Sequence, residues 1–245
     1  MSVKPMNTRI LAPVLTSTLV VGALSAFFPM WASYTPPPQL SGKAGNREGA
    51  ATRTGRCQAD MSPPLTTLVP VNHAGWTAAE YPTVYWFTPE NTFNYLRFTL
   101  AQAISPTEEV ALYSTSFRIT GKAGISRLTL PAHATLPPLE TGKDYRWMVE
   151  LVCDPNEPSG NQVADGWLQY VRASPSLMAQ VESARPEQRH EVYAQAGYWY
   201  DALRELAILR ESNPTNDTLS RAWQDLLKNE NVRLETVSDQ QIARP

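Results

Sequence analysis

One stretch of alternating residues, at 139–154, limits most strongly what this chain can fold into. Apolar side chains recur there at every second position: Tyr145, Trp147, Val149 and Leu151. Because successive side chains of a strand point to opposite faces, this pattern predicts a strand with one buried face, while Arg146 and Glu150 point out. We interpret the stretch as the central strand of a β-sandwich.

Further short strands are predicted around it, with turn residues between them: 65–69, 83–87, 95–100, 110–119, 125–130 and 166–171. About seven short strands over roughly a hundred residues are typical of an immunoglobulin-like or fibronectin-like antiparallel β-sandwich. Tyr145, at the start of the sixth strand, can return its hydroxyl to the upstream backbone, as in a tyrosine corner. The pattern therefore predicts a β-sandwich domain over 64–173.

After Ser174-Pro175 the apolar period becomes helical, and we expect helices over 177–184, 187–195 and 198–210, with a last one capped by Asn216 or Asp217. The middle pair resembles a single tetratricopeptide unit, with residues at that motif's relative spacing: Tyr193, Gly197, Trp199, Ala202, Leu206, Leu209 and Pro214. One repeat cannot build a solenoid groove, so the alternative is a helical hairpin packed on the sandwich or on a partner. We predict a small helical hairpin domain over 174–230, a C-terminal tail over 231–245 and an α+β chain by content.

The N-terminus is predicted to be a targeting segment. Lys4 and Arg9 precede an uncharged, mostly apolar run at 10–28, which is typical of a secretory signal peptide or of a signal anchor over 1–33. We therefore expect an extracytoplasmic protein, periplasmic or secreted, that contacts a membrane only through an uncleaved segment. The Pro-, Gly- and Ser-rich composition of 34–63 predicts a flexible linker.

The two cysteines of the chain are Cys57 and Cys153. Because export places them in an oxidising compartment, we predict that they pair. Such a disulfide would contribute roughly 4–5 kcal/mol in the chain-entropy model, by tying the segment before the sandwich to the end of its central strand. The alternative is two buried free thiols.

No catalytic, metal or cofactor motif emerges from the sequence. His190 and Glu191 begin like a zinc-protease helix, but Ala194 stands where the second histidine is required. The acidic loop at 154–166 resembles a calcium loop, yet Pro158 interrupts the pattern, so an ordinary connecting loop is favoured. The net charge is −2, and both predicted folded parts are mildly acidic, which argues against a nucleic-acid partner.

The tryptophans give the remaining indication of a binding surface. Trp76, Trp167 and Trp199 are candidates for an exposed aromatic set that stacks on sugar rings. Packing in the core or between domains is the alternative for all three residues.

Three functions follow as hypotheses. The first is a non-enzymatic exported module or adaptor that binds another exported or cell-envelope protein. The second is a module that binds polysaccharide or peptidoglycan through surface aromatics. The third is an envelope hydrolase that uses carboxylates such as Glu80 or Asp165, which would have to converge in one cleft.

An ordered set of motifs after the linker resembles a known family. They are EYPTVYWF at 80–87, GISRLTLP at 124–131, the stretch 139–154, DGWLQY at 165–170 and YAQAGYWYDAL at 193–203. This set is similar to the cyanobacterial family catalogued as domain of unknown function 928. The resemblance implies an exported cyanobacterial protein, and it implies no reaction, cofactor or catalytic residue.

Overall fold

Strands fill the first half of the folded chain and helices follow, in a computed structural model that describes Met1 and residues 33–37, 45–49, 61–72, 74–132 and 136–243. The strands are β1 (Thr66–Thr67), β2 (Gly75–Thr77), β3 (Thr83–Thr88), β4 (Tyr95–Ser105), β5 (Glu108–Arg118), β6 (Gly124–Thr129), β7 (Asp144–Val152) and β8 (Gln162–Tyr170). The α-helices are α1 (Pro175–Ser183), α2 (Arg189–Gln195), α3 (Trp199–Ser212) and α4 (Asp217–Lys228). The predicted α+β content is confirmed.

The strands form two sheets, one with the order β1-β3-β6 and one with the order β2-β8-β7-β4-β5. Neighbouring strands are antiparallel except β2 and β8, which are parallel. The middle strand of the larger sheet is β7, so the prediction of a central strand at 139–154 is confirmed. The sequence patterns missed β2, because its three residues are too few to show a period of two.

The alternation of β7 separates its two faces as predicted. Tyr145, Trp147, Val149 and Leu151 are all buried, whereas Arg146 is only half-buried. Phe98 of β4 stacks on Trp147 with 6.2 Å between the ring centroids. The Tyr145 hydroxyl accepts a hydrogen bond from the Glu140 backbone N–H at 2.8 Å, and this bond holds the turn before β7 against the strand.

The two sheets and the helices share one hydrophobic core, so the predicted separation into a strand domain and a helical domain is not seen in the packing. Trp86 of β3 lies 6.2 Å from Phe117 of β5, which brings the two sheets together. At the sheet edge formed by β2, a Cβ added at Gly75 would lie 2.9 Å from Trp199 on α3. The helix therefore packs directly on the backbone of β2.

The flexible linker predicted over 34–63 is wrong at residues 34–37. Tyr34 is fully buried and meets the Trp199 ring edge-to-face at 5.1 Å. The Thr35 N–H donates to the Ala194 carbonyl at 3.1 Å. A Cβ added at Gly197, whose φ is +84°, would come within 2.8 Å of Pro37. One large aromatic residue therefore anchors a segment whose average composition indicated a tether.

Residues 45–49 are also packed, and they connect the two sheets. The Asp165 N–H of β8 donates to the Asn46 carbonyl at 2.9 Å, and the Thr67 N–H of β1 donates to the Arg47 carbonyl at 2.8 Å. These backbone bonds place the segment between β1 of the smaller sheet and β8 of the larger one. The flexible-linker prediction is therefore wrong here too, because the backbone groups of 45–49 form hydrogen bonds with neighbouring strands, as those of a short strand would.

The C-terminal tail predicted at 231–245 is folded over most of its length. Val232 and Val237 are fully buried, and the Arg47 guanidinium donates to the Val232 carbonyl. Ile242 forms a parallel bridge with Ile125 of β6. The packing of this tail was not predicted, because its apolar residues are too widely spaced to show a period.

The targeting segment predicted over 1–33 falls almost entirely outside the described residues. Within the part of the chain that is described, no helix is long and apolar enough to cross a membrane. Cys57 also lies outside the described residues, so its pairing with Cys153 stays a prediction. Cys153 itself follows β7 directly, where its N–H donates to the Asn161 side chain at 2.9 Å.

Candidate functional site

The most distinctive surface is the free edge of β5. This strand ends the five-stranded sheet, and its inner side pairs with β4. Both strands have 11 residues, but β4 pairs with β7 only from Tyr95 to Gln102, so the tip of the β4–β5 hairpin extends past the rest of the sheet. Among the described strands, none pairs with the outer side of β5.

Apolar side chains are exposed along this edge. Val110 on β5 is 45% exposed, and Ile104 near the hairpin tip is 54% exposed. Tyr113 and Phe117 are half-buried, and each has one ring contact in the core, with Phe98 and Trp86 respectively. The smaller sheet has only three strands, so it cannot fully cover side chains on the fifth strand of the larger one.

Charged residues lie at the two ends of β5. Glu108 and Glu109 begin the strand and Arg118 ends it. Glu109 forms a 3.5 Å ion pair with Arg146, and the Arg118 guanidinium lies 6.0 Å from the centre of the Tyr95 ring. The strand contains no proline and no lysine, which are the residues that most often protect a strand edge from pairing.

A β-bulge divides β5 into two parts. The pairing with β4 shifts register between Leu100 and Ala101, which leaves Leu112 as the extra residue. A bulge increases the local twist of an edge strand and interrupts its outward row of hydrogen-bonding groups. The regular part that follows, Tyr113 to Arg118, is the longest uninterrupted stretch of the edge.

Asp165, one of the carboxylates of the hydrolase hypothesis, is an ion-pair partner. Its side chain is 3% exposed, and its two oxygens accept from Arg146 Nε at 3.1 Å and Nη2 at 3.0 Å. The Asn46 N–H also donates to this carboxylate, at 3.0 Å. The bonds to Asp165 raise the pKa of Arg146. Asp165 therefore has the hydrogen-bond partners of a structural carboxylate. The other candidate, Glu80, is exposed in the loop between β2 and β3.

The three candidate tryptophans do not form one exposed set. Trp199 is fully buried and its indole N–H donates to the Leu68 carbonyl at 2.8 Å, so its assignment to a binding surface is wrong. Trp76 and Trp167 are half-buried. The Trp76 indole N–H donates to the Gln169 side chain at 3.2 Å, and Trp167 lies two residues before Gln169 on β8. Both rings are therefore on the outer face of the larger sheet.

His190, the start of the failed zinc motif, is 2% exposed on α2, and burial lowers its pKa to about 4. His73 and His133 lie outside the described residues. No group of three or more His, Cys, Asp or Glu side chains within the described ranges is arranged to hold a metal ion.

The edge position of β5 could not be found from the sequence. Its residues predict a strand, but the place of a strand within a sheet depends on which neighbours pair with it. In the sequence, Val110 and Ile104 are apolar residues beside a hairpin turn, and such residues are expected in a core. Only the structure shows that both side chains are exposed.

Comparison with known proteins places the chain in a family. No curated protein matches the chain. The family model described as Domain of Unknown Function (DUF928) matches residues 48–242. The match begins at Glu48, which lies inside the segment predicted to be a linker and bridges to Thr66, and it ends at Ile242, which bridges to Ile125. The chain therefore belongs to the family described as Domain of Unknown Function (DUF928).

Proposed function

We propose that this protein is an exported interaction module without catalytic activity, which binds an extended segment of another exported or cell-envelope protein along the edge of β5. One observation carries the proposal: among the described strands β5 has no neighbour on its outer side, and apolar side chains are exposed beside it. An unpaired strand edge presents a row of backbone N–H and C=O groups, to which an extended peptide can add as a further strand.

The side chains of β5 define the chemistry of the partner segment. Val110, Tyr113 and Phe117 are exposed or half-buried and would contact apolar residues of the added strand. Glu108 and Arg118, at opposite ends, would favour a basic residue at one end of that segment and an acidic residue at the other. The partner is therefore an extended stretch with alternating apolar residues and a charge at each end.

The fold we propose for this module is an immunoglobulin- or fibronectin-like sandwich. The orders β1-β3-β6 and β8-β7-β4-β5 correspond to strands A-B-E and G-F-C-C′ of that fold. The hydrogen bond between Tyr145 and Glu140 is in the place of a tyrosine corner. In this assignment β5 is the outer C′ strand, which is an edge strand.

We also propose that α2 and α3 are a single tetratricopeptide-like unit that serves as packing and not as a binding groove. Gly197 lies between the helices with a φ of +84°, and Ala202 and Leu206 are fully buried. Trp199 at the start of α3 contacts the Tyr34 ring of the N-terminal segment. This contact favours a packing role for the unit.

The experiment is site-specific photo-crosslinking in the source cells. A photoreactive amino acid is placed at Val110 or Ser116 on β5, and, as a control, at Met178 on α1. Met178 is an exposed apolar residue like Val110, at 37% and 45% exposure respectively. We expect adducts with one partner protein from positions 110 and 116, and none with that protein from position 178.

A second arm uses charge to block the edge. Val110→Lys and Ser116→Lys should abolish the adduct formed from the other β5 position, because a lysine on an edge strand opposes pairing. Met178→Lys should leave it unchanged. Adducts that join β5 only to a second copy, or only to another part of the same chain, would contradict the proposal, and so would equal adducts from position 178.

A polysaccharide ligand is the second candidate, and it is favoured by the placement of Trp76 and Trp167. Both are half-buried on the outer face of the larger sheet, where the Gln169 side-chain amide donates to the Asp144 carboxylate at 3.2 Å. Aromatic rings beside such polar side chains are suited to stacking on a sugar while its hydroxyls are hydrogen-bonded.

Binding to peptidoglycan and to a glycan array tests this candidate. We expect Trp76→Ala and Trp167→Ala to abolish retention, and Tyr95→Ala, which removes an exposed aromatic ring from β4, to have no effect. No retention of the unaltered protein on any glycan, or retention that both sheet variants keep, would contradict it.

A further inference from the structure

A polar cleft lies on the helical side of the molecule, away from β5. It has a volume of about 450 Å³, within the range of small-molecule pockets. The ends of α3 and α4 and the C-terminal segment line it, with Arg210, Glu211, Ser220, Gln224, Asp239 and Gln241 among the lining residues. Pro214 and Ile242 contribute apolar surface to its wall.

Arg210 is held in this cleft by an aromatic ring. Its guanidinium carbon lies 4.8 Å from the centre of the Trp223 ring, and Trp223 is fully buried on α4. This cation–π contact orients the planar guanidinium. The Nη1 atom of Arg210 is buried and has no hydrogen-bond partner among the described residues. Arg210 as a whole is half-buried, and a partly desolvated cation without a counter-charge is costly, so this arrangement is incomplete.

The carboxylates of the cleft already have other partners. Glu211 forms an ion pair with Arg127 of β6. Asp239 accepts a hydrogen bond from the Gln224 side chain at 2.8 Å and lies 3.8 Å from the Lys228 ammonium. Burial lowers the pKa of Arg210, with no carboxylate opposing that effect. Arg210 is therefore the one cation lining the cleft, as far as the described residues go, without a carboxylate partner.

We propose that this cleft binds a small organic monocarboxylate, whose carboxylate group pairs with the Arg210 guanidinium. A guanidinium presents a planar fork of N–H donors that matches a carboxylate. One unpaired positive charge balances a single negative charge, whereas Glu211 and Asp239 nearby would repel a dianion such as phosphate. The Ser220 hydroxyl and the Gln241 amide can bond the polar part of the ligand, and Pro214 and Ile242 can contact its apolar body.

The test is a titration of the full chain, followed by NMR at the indole N–H of Trp223. Sodium acetate, sodium benzoate, sodium phosphate and sodium chloride are added separately at equal ionic strength. We expect saturable shifts with acetate and with benzoate, tighter binding of benzoate, and no saturation with chloride. Arg210→Gln should weaken the binding of benzoate by at least about tenfold, because a charge-assisted bidentate contact is lost.

A matched control is Arg221→Gln, which removes the same charge from an exposed position on α4 and should change the affinity less than about twofold. Should Arg210→Gln fail to fold, Ser220→Asp keeps the contact between Arg210 and Trp223 and places a carboxylate in the cleft, which should block benzoate. Tighter binding of phosphate, saturation by chloride, or benzoate affinity that Ser220→Asp leaves unchanged would overturn the proposal.

Discussion

The indole N–H of Trp147 donates a hydrogen bond to the Tyr200 hydroxyl at 2.9 Å, inside the core. The same hydroxyl donates to the Trp167 carbonyl, also at 2.9 Å. Trp147 is on the central strand β7 and Tyr200 is on α3, so this pair of bonds joins the larger sheet to the helices. Because Trp147 and Tyr200 belong to one shared core, the sheets and helices should unfold together.

Replacement of Tyr200 by Phe tests this connection. The change removes one oxygen atom and leaves the Trp147 N–H without its acceptor, which should lower the free energy of unfolding by about 1–3 kcal/mol. Urea denaturation followed by fluorescence and by circular dichroism measures the loss. Tyr81→Phe is the control, because Tyr81 is half-buried and its hydroxyl donates one long bond, of 3.4 Å, to the Leu136 carbonyl. Equal losses in the two variants would contradict a special role for Tyr200.

Asp165→Asn tests how residues 45–49 are held. The variant loses the ionic bonds from Arg146 and weakens the bonds from the Asn46 N–H, so we expect a loss of about 2–3 kcal/mol in the free energy of unfolding. Hydrogen exchange at the Asn46 amide should become faster. Glu150→Gln is the control on the same face, since its 3.0 Å pair with Arg97 is largely exposed on the arginine side and contributes about 0–1 kcal/mol. Unchanged exchange at Asn46 in Asp165→Asn would contradict the prediction.

Asp201 on α3 should make the protein less stable as the pH rises. Burial raises the pKa of Asp201 to about 6, whereas an unfolded aspartate titrates near 3.9. Between about pH 4 and 6 the native state therefore binds more protons than the unfolded state, so this residue lowers the free energy of unfolding as the pH rises.

The variant Asp201→Asn is neutral at every pH and keeps an acceptor for the Ala78 N–H, which bonds Asp201 at 2.8 Å. Between pH 4 and 7, its free energy of unfolding should rise relative to that of the unaltered protein by up to about 3 kcal/mol. Denaturation over a pH series measures the gain. Asp217→Asn, which makes the same change at an exposed position on α4, is the matched control. A parallel pH dependence of Asp201→Asn and the unaltered protein would refute the prediction.

His190 should act in the opposite direction over nearly the same range. Burial lowers its pKa to about 4, and an unfolded histidine titrates near 6.5, so the unfolded state binds more protons between about pH 4 and 6.5. The free energy of unfolding should therefore rise with pH because of this residue. His190→Phe should remove that rise and reveal the fall caused by Asp201, whereas Asp201→Asn should make the rise steeper. Two variants with the same pH slope would show this assignment to be wrong.

The two cysteines give a direct chemical test. We expect the non-reduced chain to be lighter than the reduced chain by the mass of two hydrogen atoms, and to resist alkylation at Cys153 until a reductant is added. Closing the loop should contribute roughly 4–5 kcal/mol to the free energy of unfolding. Alkylation of two free thiols without reductant would exclude the disulfide.

Strand periodicity and helix caps were sufficient to predict most of the secondary structure. The prediction of β7 rested on four apolar residues at a period of two, and that of the start of α4 on a cap by Asn216 or Asp217. The structure has Asn216 as the cap, and its side chain accepts from the Leu219 N–H at 3.2 Å. Both signals depend only on residues that are close in sequence, so they do not require knowledge of the tertiary contacts. The packed state of 34–37 could not be predicted, because Tyr34 packs against Trp199, which lies far away in sequence.

The residues of the candidate sites were harder to predict from the sequence than the secondary structure. Trp76, Trp167 and Trp199 are equivalent as residue types, and only the packing of α3 on β2 separates the buried Trp199 from the other two. Arg210 carries no motif, and its significance comes from the position of Trp223 on the next helix.

By itself, the amino-acid sequence determined the α+β content, the central position of β7 and membership in the family, because these follow from local periodicity and from ordered motifs. Only the tertiary structure decided that sheets, helices and parts of the linker share one core, that β5 lies at an edge, and that Arg210 faces a cleft. Each of those facts depends on contacts between residues that are distant in sequence, and such contacts leave no local pattern.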